Sequence, residues 1–123
     1  MNQRLLIVDD EPQIRELLGL YLEQKGFEIF RAGTSQDCLD QVASAQPELV
    51  VLDINLAEED GLKLLTQIKV QHPDTKVVML TGMGFDDDLL REALSRGADG
   101  YVSKMLPFDE LLAAIRRVLP VHN

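Results

Sequence analysis

The sequence predicts an α/β protein with a single doubly wound, five-stranded parallel sheet and helices on both faces. Three observations predict it. Short apolar runs alternate with longer stretches of helical periodicity, β then α, five times over. Most of the runs lack the polar–apolar alternation of a half-covered strand, so they read as strands buried on both faces. Four of them end abruptly in polar or charged residues, at Asp9-Asp10, Asp53, Thr81 and Lys104, and the carboxyl ends of strands are where open sheets of this kind hold ligands. With 123 residues, 46% of them hydrophobic, the whole of 1–123 reads as one domain with one sizeable core.

The first run, Arg4-Leu5-Leu6-Ile7-Val8, leads into Asp9-Asp10. Glu11-Pro12 then opens a helix, because proline at the first helical position gives up an N–H that has no partner there anyway. Ile14, Leu17, Leu18, Tyr21 and Leu22 recur at helical spacing and predict its buried face, and Gly26 stops it. The stretch 27–32 alternates and predicts a half-covered edge strand. Thr34 can cap the second helix, with Cys38, Leu39, Val42 and Ala43 inward. Past Pro47 comes Leu49-Val50-Val51-Leu52-Asp53, the expected central strand.

Ile54 to Gly61 is expected to be a polar loop, and Leu62, Leu65 and Ile68 mark a third helix. His72-Pro73-Asp74 is a turn. The fourth strand, Lys76-Val77-Val78-Met79-Leu80, ends in Thr81 and a flexible Gly82-Met83-Gly84 loop. Asp86-Asp87-Asp88 starts the fourth helix, where acidic side chains suit the positive end of the dipole. Its expected buried side is Leu89, Leu90, Ala93 and Leu94, and Gly97 closes it. Gly100-Tyr101-Val102-Ser103 is a short fifth strand before Lys104. A last helix over 109–119 turns Leu111, Leu112, Ile115 and Leu119 inward.

Composition removes several classes of function. No apolar run approaches the roughly 20 residues of a membrane span, and Met1-Asn2-Gln3-Arg4 has no signal-peptide pattern. Cys38 is the only cysteine, so an intrachain disulfide and a cysteine metal cluster are both excluded. The cytoplasm is the expected setting. A net charge of −9 argues against direct contact with nucleic acid through this domain.

For such sheets the common five-strand order is 2-1-3-4-5, with right-handed crossovers. That order sets the first strand beside the third, so Asp9, Asp10 and Asp53 meet in the crevice where strand order reverses, flanked by Thr81 and Lys104. Two carboxylates about 5 Å apart repel by roughly 3 kcal/mol at an effective dielectric of about 20. Three acids therefore need raised pKa values or a cation, and Lys104 alone is not enough. A hard divalent cation such as Mg²⁺ fits, since it takes one or two carboxylates and completes its shell with water and phosphate oxygens. A carboxylate beside Mg²⁺ is a nucleophile toward phosphoryl groups. The reading is an aspartyl phosphorylation site with Asp53 as acceptor and Asp9 and Asp10 holding Mg²⁺. Each residue alone has a blander account. Asp9-Asp10 could cap a helix, Asp53 and Thr81 could serve turns, Lys104 could be solvated, and Tyr101 could be half-buried packing. The joint placement at strand ends favours the site.

With Val8-Asp9-Asp10-Glu11, Leu52-Asp53-Ile54-Asn55-Leu56 with Asp60-Gly61, Leu80-Thr81-Gly82, Gly97-Ala98-Asp99-Gly100-Tyr101 and Ser103-Lys104 in place, the chain resembles the receiver domain of two-component response regulators over essentially its whole length. The resemblance implies a flavodoxin-like (β/α)5 fold and a phosphorylation-dependent switch, not an enzyme beyond self-phosphorylation and self-dephosphorylation. It implies that Asp53 takes a phosphoryl group from a histidine kinase or histidine phosphotransfer protein. Asp10 and Asp53 would bind Mg²⁺ directly, Asn55 through its backbone carbonyl and Asp9 through water. Thr81 would turn to the phosphoryl group, Lys104 would pair with it, and Tyr101 would swing inward. A downstream effector or fused output domain would read the surface around the fourth helix and fifth strand, and phosphorylation could drive homodimerisation.

Two positions depart from the family pattern. Met105 stands where receivers usually carry proline after the lysine, which predicts a trans Lys104–Met105 bond. Ala57 stands where many carry proline. Two other readings compete. One is the receiver half of a longer DNA-binding transcription regulator. The other is a small aspartate-nucleophile phosphohydrolase, which would want a second acid where Asn55 sits.

Overall fold

The computed structural model describes residues 2–56, 59–82, 86–104 and 107–119. Its strands are β1 (Arg4–Val8), β2 (Glu28–Ala32), β3 (Leu49–Asp53), β4 (Asn55–Leu56), β5 (Glu59–Asp60), β6 (Lys76–Thr81) and β7 (Gly100–Ser103). Its helices are α1 (Pro12–Gln24), α2 (Ser35–Ala45), α3 (Gly61–Gln71), α4 (Asp87–Ser95) and α5 (Phe108–Val118). The main sheet runs β2-β1-β3-β6-β7, parallel throughout. Leaving aside the two-residue strands β4 and β5, this is the 2-1-3-4-5 order expected of the fold.

The continuous apolar runs resolve into two interleaved sets, because successive side chains on a strand point to opposite faces. Leu6, Val8, Val50 and Leu52 join α2 and α3 in one layer, with Leu64, Leu65 and Ile68 at its centre. Leu5, Ile7, Leu49 and Val51 join α1 and α5 in the other, against Leu18, Leu22, Leu111 and Ile115. β3 is buried at every residue, as a strand flanked by β1 and β6 and covered on both sides must be.

Local signals set the helix ends. Pro12 is the first residue of α1. The Thr34 hydroxyl accepts from the Asp37 amide at 3.1 Å and starts α2. Asp60 accepts from the Leu62 amide at 2.9 Å and starts α3. Gly26 and Gly97, with φ of 97° and 102°, follow α1 and α4 in a conformation that favours glycine. The amino end of the sheet is stapled by charge. The Arg4 guanidinium donates to the Ala45 and Gln46 carbonyls, and Lys69 Nζ lies 2.7 Å from Asp99.

Three inward assignments are corrected. Leu17 is 54% exposed and Leu94 51% exposed, and Ala43 is also exposed. The arc of each helix that meets the sheet is narrower than the full apolar stripe. In α1 it centres on Leu18 and Leu22, in α2 on Cys38 and Val42, and in α4 on Ala93. The expected polar loop after β3 holds a small antiparallel pair, with Asn55 opposite Asp60 and Leu56 opposite Glu59. Leu56 is fully buried, which draws this segment onto the core. The 83–84 part of the glycine loop and the Lys104–Met105 bond lie outside the described residues.

Candidate functional site

Register builds the site. Val8 pairs with Leu52, Asp53 with Leu80, and Thr81 with Ser103. The carboxyl ends of β1, β3, β6 and β7 therefore line up, and Asp9, Asp53, Thr81 and Lys104 stand at or just past them. Strand order reverses between β1 and β3, which opens the crevice there.

Asp9 is fully buried and Asp53 is 3% exposed. Asp9 Oδ1 accepts from the Glu11 amide at 2.9 Å, and Asp53 Oδ1 accepts from the Asn55 amide at 3.0 Å. Each acid thereby folds the chain just beyond its strand and keeps its second oxygen for the crevice. Lys104 Nζ answers both, 2.8 Å from Asp9 Oδ2 and 2.8 Å from Asp53 Oδ2, with Glu11 Oε1 further off at 3.6 Å. The half-buried Asp10 completes the group, with one carboxylate oxygen each from Asp9, Asp10 and Asp53 within 4.8 Å of one another.

Charge is unbalanced in this crevice. Burial lifts the Asp53 carboxyl above its usual range, and the nearby Asp9 lifts it further, against the opposing pull of Lys104 and the Asn55 amide. Burial alone would lower the Lys104 ammonium, but Asp53 and Asp9 outweigh it and hold the pKa above that of ordinary lysine. Lys104 is thus firmly charged, while the acids around it still outnumber it. That excess of carboxylate is the chemistry of a cation site. Oxygens around Mg²⁺ sit about 2.1 Å from the metal, so opposite ligands are roughly 4 Å apart, close to the spacing of these three acids. The donor set fits a hard divalent cation, with Asp9, Asp10 and Asp53 available to hold it.

The remaining expected residues fall around this centre. Asn55 is exposed beside Asp53. Thr81 is buried, and its carbonyl accepts from the Lys104 amide at 2.7 Å, which ties the lysine's backbone to β6. With Met105 following it, Lys104 still reaches both acids. Tyr101 is half-buried against the layer of α2, α3 and α4, and its buried hydroxyl has no hydrogen-bond partner among the described residues. The site thus brings together Asp9, Asp10, Asp53 and Lys104, with Thr81 and Asn55 adjoining and Tyr101 further back on β7, the strand that leads into Lys104.

Two residues had no assigned role from sequence. The Arg15 guanidinium donates to the Asp9 carbonyl oxygen at 2.9 Å. A signal existed, since a cation in the first turns of a helix opposes the dipole and needs another partner. Gly61 begins α3 against the acceptor strand, where a Cβ would lie 2.5 Å from the Asp53 carbonyl oxygen and 2.6 Å from that of Ile54. No sequence spacing shows such a close approach.

Residues 5–116 match the family described as the response regulator receiver domain. Sporulation initiation phosphotransferase F of Bacillus subtilis is 33% identical over 123 residues, covering 100% of this chain and 98% of that protein. The transcriptional regulatory protein SrrA of Staphylococcus aureus is 34% identical over 119 residues, and the match spans 97% of this chain but only 48% of that protein. The crystal structure of NtrX from Brucella abortus superposes with a TM-score of 0.89 at 37% identity, over 97% of this chain and 27% of that one. No helix among the described residues is long and apolar enough to cross a membrane.

Proposed function

The chain belongs to the response regulator receiver domain family, and we propose that it works as a phosphorylation-dependent switch with Asp53 as the phosphoacceptor. The observation that carries this reading is the buried Asp53 carboxylate, held 2.8 Å from Lys104 in a crevice with two further acids. A buried carboxylate with a fixed ammonium and a cation site beside it is equipped to attack phosphorus and to stabilise the charge that follows.

From a phosphohistidine donor, an Asp53 carboxylate oxygen attacks phosphorus while the phosphorus–nitrogen bond breaks. The imidazole nitrogen leaves with the electron pair and takes up a proton. Mg²⁺ bound by Asp9, Asp10, Asp53 and the Asn55 carbonyl would neutralise the phosphoryl oxygens during the exchange. Lys104 is within reach of the same oxygens and keeps its proton throughout. The phosphoryl group carries between about 1.5 and 2 negative charges in place of the single charge of the carboxylate it modifies, and it brings three acceptor oxygens. The Thr81 hydroxyl then turns toward it, and Tyr101 follows into the space behind. A half-buried ring whose hydroxyl has no partner among the described residues loses little by moving. The change reaches the outer surface at α4 and β7, where Leu94 offers a partner an apolar contact.

The donor is a histidine kinase or histidine phosphotransfer protein, in keeping with a cytoplasmic setting, and the reader is a downstream effector, a fused output domain or a second phosphorylated copy. SrrA and NtrX both extend well beyond the matched region, which favours the receiver half of a longer regulator as the second reading.

The test is intact mass after incubation with Mg²⁺ and acetyl phosphate. One added phosphoryl group is expected on the wild type and none on Asp53→Asn or in the presence of chelator. An adduct that persists on Asp53→Asn would move the acceptor elsewhere. Lys104→Ala is expected to keep the fold and Mg²⁺ binding but to lose the Thr81 and Tyr101 chemical-shift changes that beryllofluoride induces in the wild type. Equal changes in both proteins would remove Lys104 from the switch.

A further inference from the structure

We infer that Arg15, seated over Gly33, is a positioning residue for the cation-binding acids. The inference rests on the reading of Asp9, Asp10 and Asp53 as a cation site. Arg15 lies in α1, and its guanidinium reaches back across the turn that follows β1 to donate to the Asp9 carbonyl oxygen at 2.9 Å. That oxygen belongs to the peptide plane joining Asp9 to Asp10. Fixing it fixes the direction in which the chain leaves Asp9, and with it where Asp10 starts. The other restraints on this turn act on Asp9 and Glu11. The Asp9 amide donates to the Ala32 carbonyl at 3.2 Å, and the Glu11 amide donates to the Asp9 carboxylate at 2.9 Å. Arg15 adds the hold on the Asp9–Asp10 peptide itself.

The guanidinium gains its place because residue 33 has no side chain. A Cβ on Gly33 would lie 2.6 Å from Arg15 Nη1 and 3.6 Å from Cζ, but 4.0 Å from the Asp9 carbonyl oxygen. A methyl group there would displace the flexible end of Arg15 and leave the Asp9 backbone in ordinary contact. Gly33 also has a backbone conformation open to alanine, with no left-handed φ. Gly33→Ala is therefore a second route to the same lesion, one that leaves the Arg15 side chain present but moved. Arg15 touches neither carboxylate directly. Its influence on the cation runs through the backbone, as for groups that orient metal ligands from outside the coordination shell.

The experiment is a Mg²⁺ titration of the whole chain followed by the amide shifts of Asp10, Glu11 and Asn55, with thermal melting alongside. It uses the wild type, Arg15→Ala, Arg15→Lys, Gly33→Ala and the Arg15→Ala/Gly33→Ala double variant. Arg15→Ala is expected to weaken Mg²⁺ binding about tenfold. Arg15→Lys, which still offers a donor, is expected to recover part of that loss. Gly33→Ala should weaken binding to a similar degree and add nothing in the Arg15→Ala background. Wild-type affinity in Arg15→Ala would overturn the inference, as would additive losses in the double variant. A lowered Tm with unchanged affinity would assign Arg15 to the fold alone and overturn it too. Absence of Mg²⁺-dependent shifts in the wild type is a different failure, because it would remove the cation site and the positioning role together.

Discussion

Asp53 bears the electrostatic cost of the crevice, and the direction of its pKa says how. Burial is the largest influence and lifts it, so the folded chain holds the Asp53 proton more tightly than the unfolded chain does. The contribution of Asp53 to stability is therefore greatest below its unfolded pKa of about 4 and falls as pH rises through the higher folded value. Lys104 has the same sign of dependence at a much higher pH, because its folded pKa is also raised. Its contribution is full below about 10.4 and is lost only as pH climbs through its raised folded value. At pH 7 in the absence of metal, ionised Asp53 is a net liability. Asp53→Asn is expected to melt a few degrees higher than the wild type at pH 7, with the gain shrinking toward pH 4. A lower Tm for the variant at pH 7 would show that the Lys104 pairing outweighs burial. At this scale the sequence was readable wherever an apolar run ended in a charge, as at Asp9, Asp53 and Lys104. For Arg15 it offered only the hint of a cation in the first turns of a helix, and for the close approach of Gly61 it offered no spacing, because both roles depend on backbone that only folding brings near.

Among the helices, α4 is held most lightly, with Ala93 as its one buried residue. Its C-terminal end is joined to α3 by Arg96, which follows the helix. The guanidinium donates to Thr66 Oγ1 at 3.1 Å and to the Leu62 carbonyl at 3.4 Å, and it pairs with Glu92 at 2.8 Å. Asp86 caps the other end. Arg96 thus pins one end of the element on which the proposed switch depends. Arg96→Ala is expected to cost about 1 kcal/mol of local stability, or about fivefold faster amide exchange within α4, with little change elsewhere. Unchanged exchange in α4 would show that the pin carries no energy. Helical periodicity found every helix but set their buried faces too wide, because it marks apolar residues without saying how much of the arc a sheet can cover. The β4–β5 pair escaped notice for a different reason, since two residues are too few to show any period.

Across the whole molecule, one buried thiol reports on cooperativity. Cys38 is fully buried in the layer of α2 and α3, and burial pushes its pKa up to about 12. It reacts with alkylating reagents only when that layer opens. Leu65 is buried in the same layer. Leu65→Ala, at about 2–5 kcal/mol, is expected to speed Cys38 alkylation at least about thirtyfold, followed by mass. Labelling at the wild-type rate would mean that Cys38 is reached by a local opening which leaves Leu65 in place. The fold class was legible from the β-α alternation, yet the strand order came from a general rule of such sheets. Nothing local in residues 4–8 says that they pair with 49–53 as well as with 28–32.

An open sheet, unlike a barrel, ends in two border strands, here β2 and β7, each of which pairs on one side only among the described residues. Such borders are templates on which a further strand can add and a fibre can grow. β7 is only four residues long, and β2 carries Glu28 and Arg31, the latter held to α1 by Glu16 and Glu23. A second copy approaching either border brings its own net charge of −9 with it. Short length, fixed charges and mutual repulsion together oppose the growth of β-linked polymers from either border.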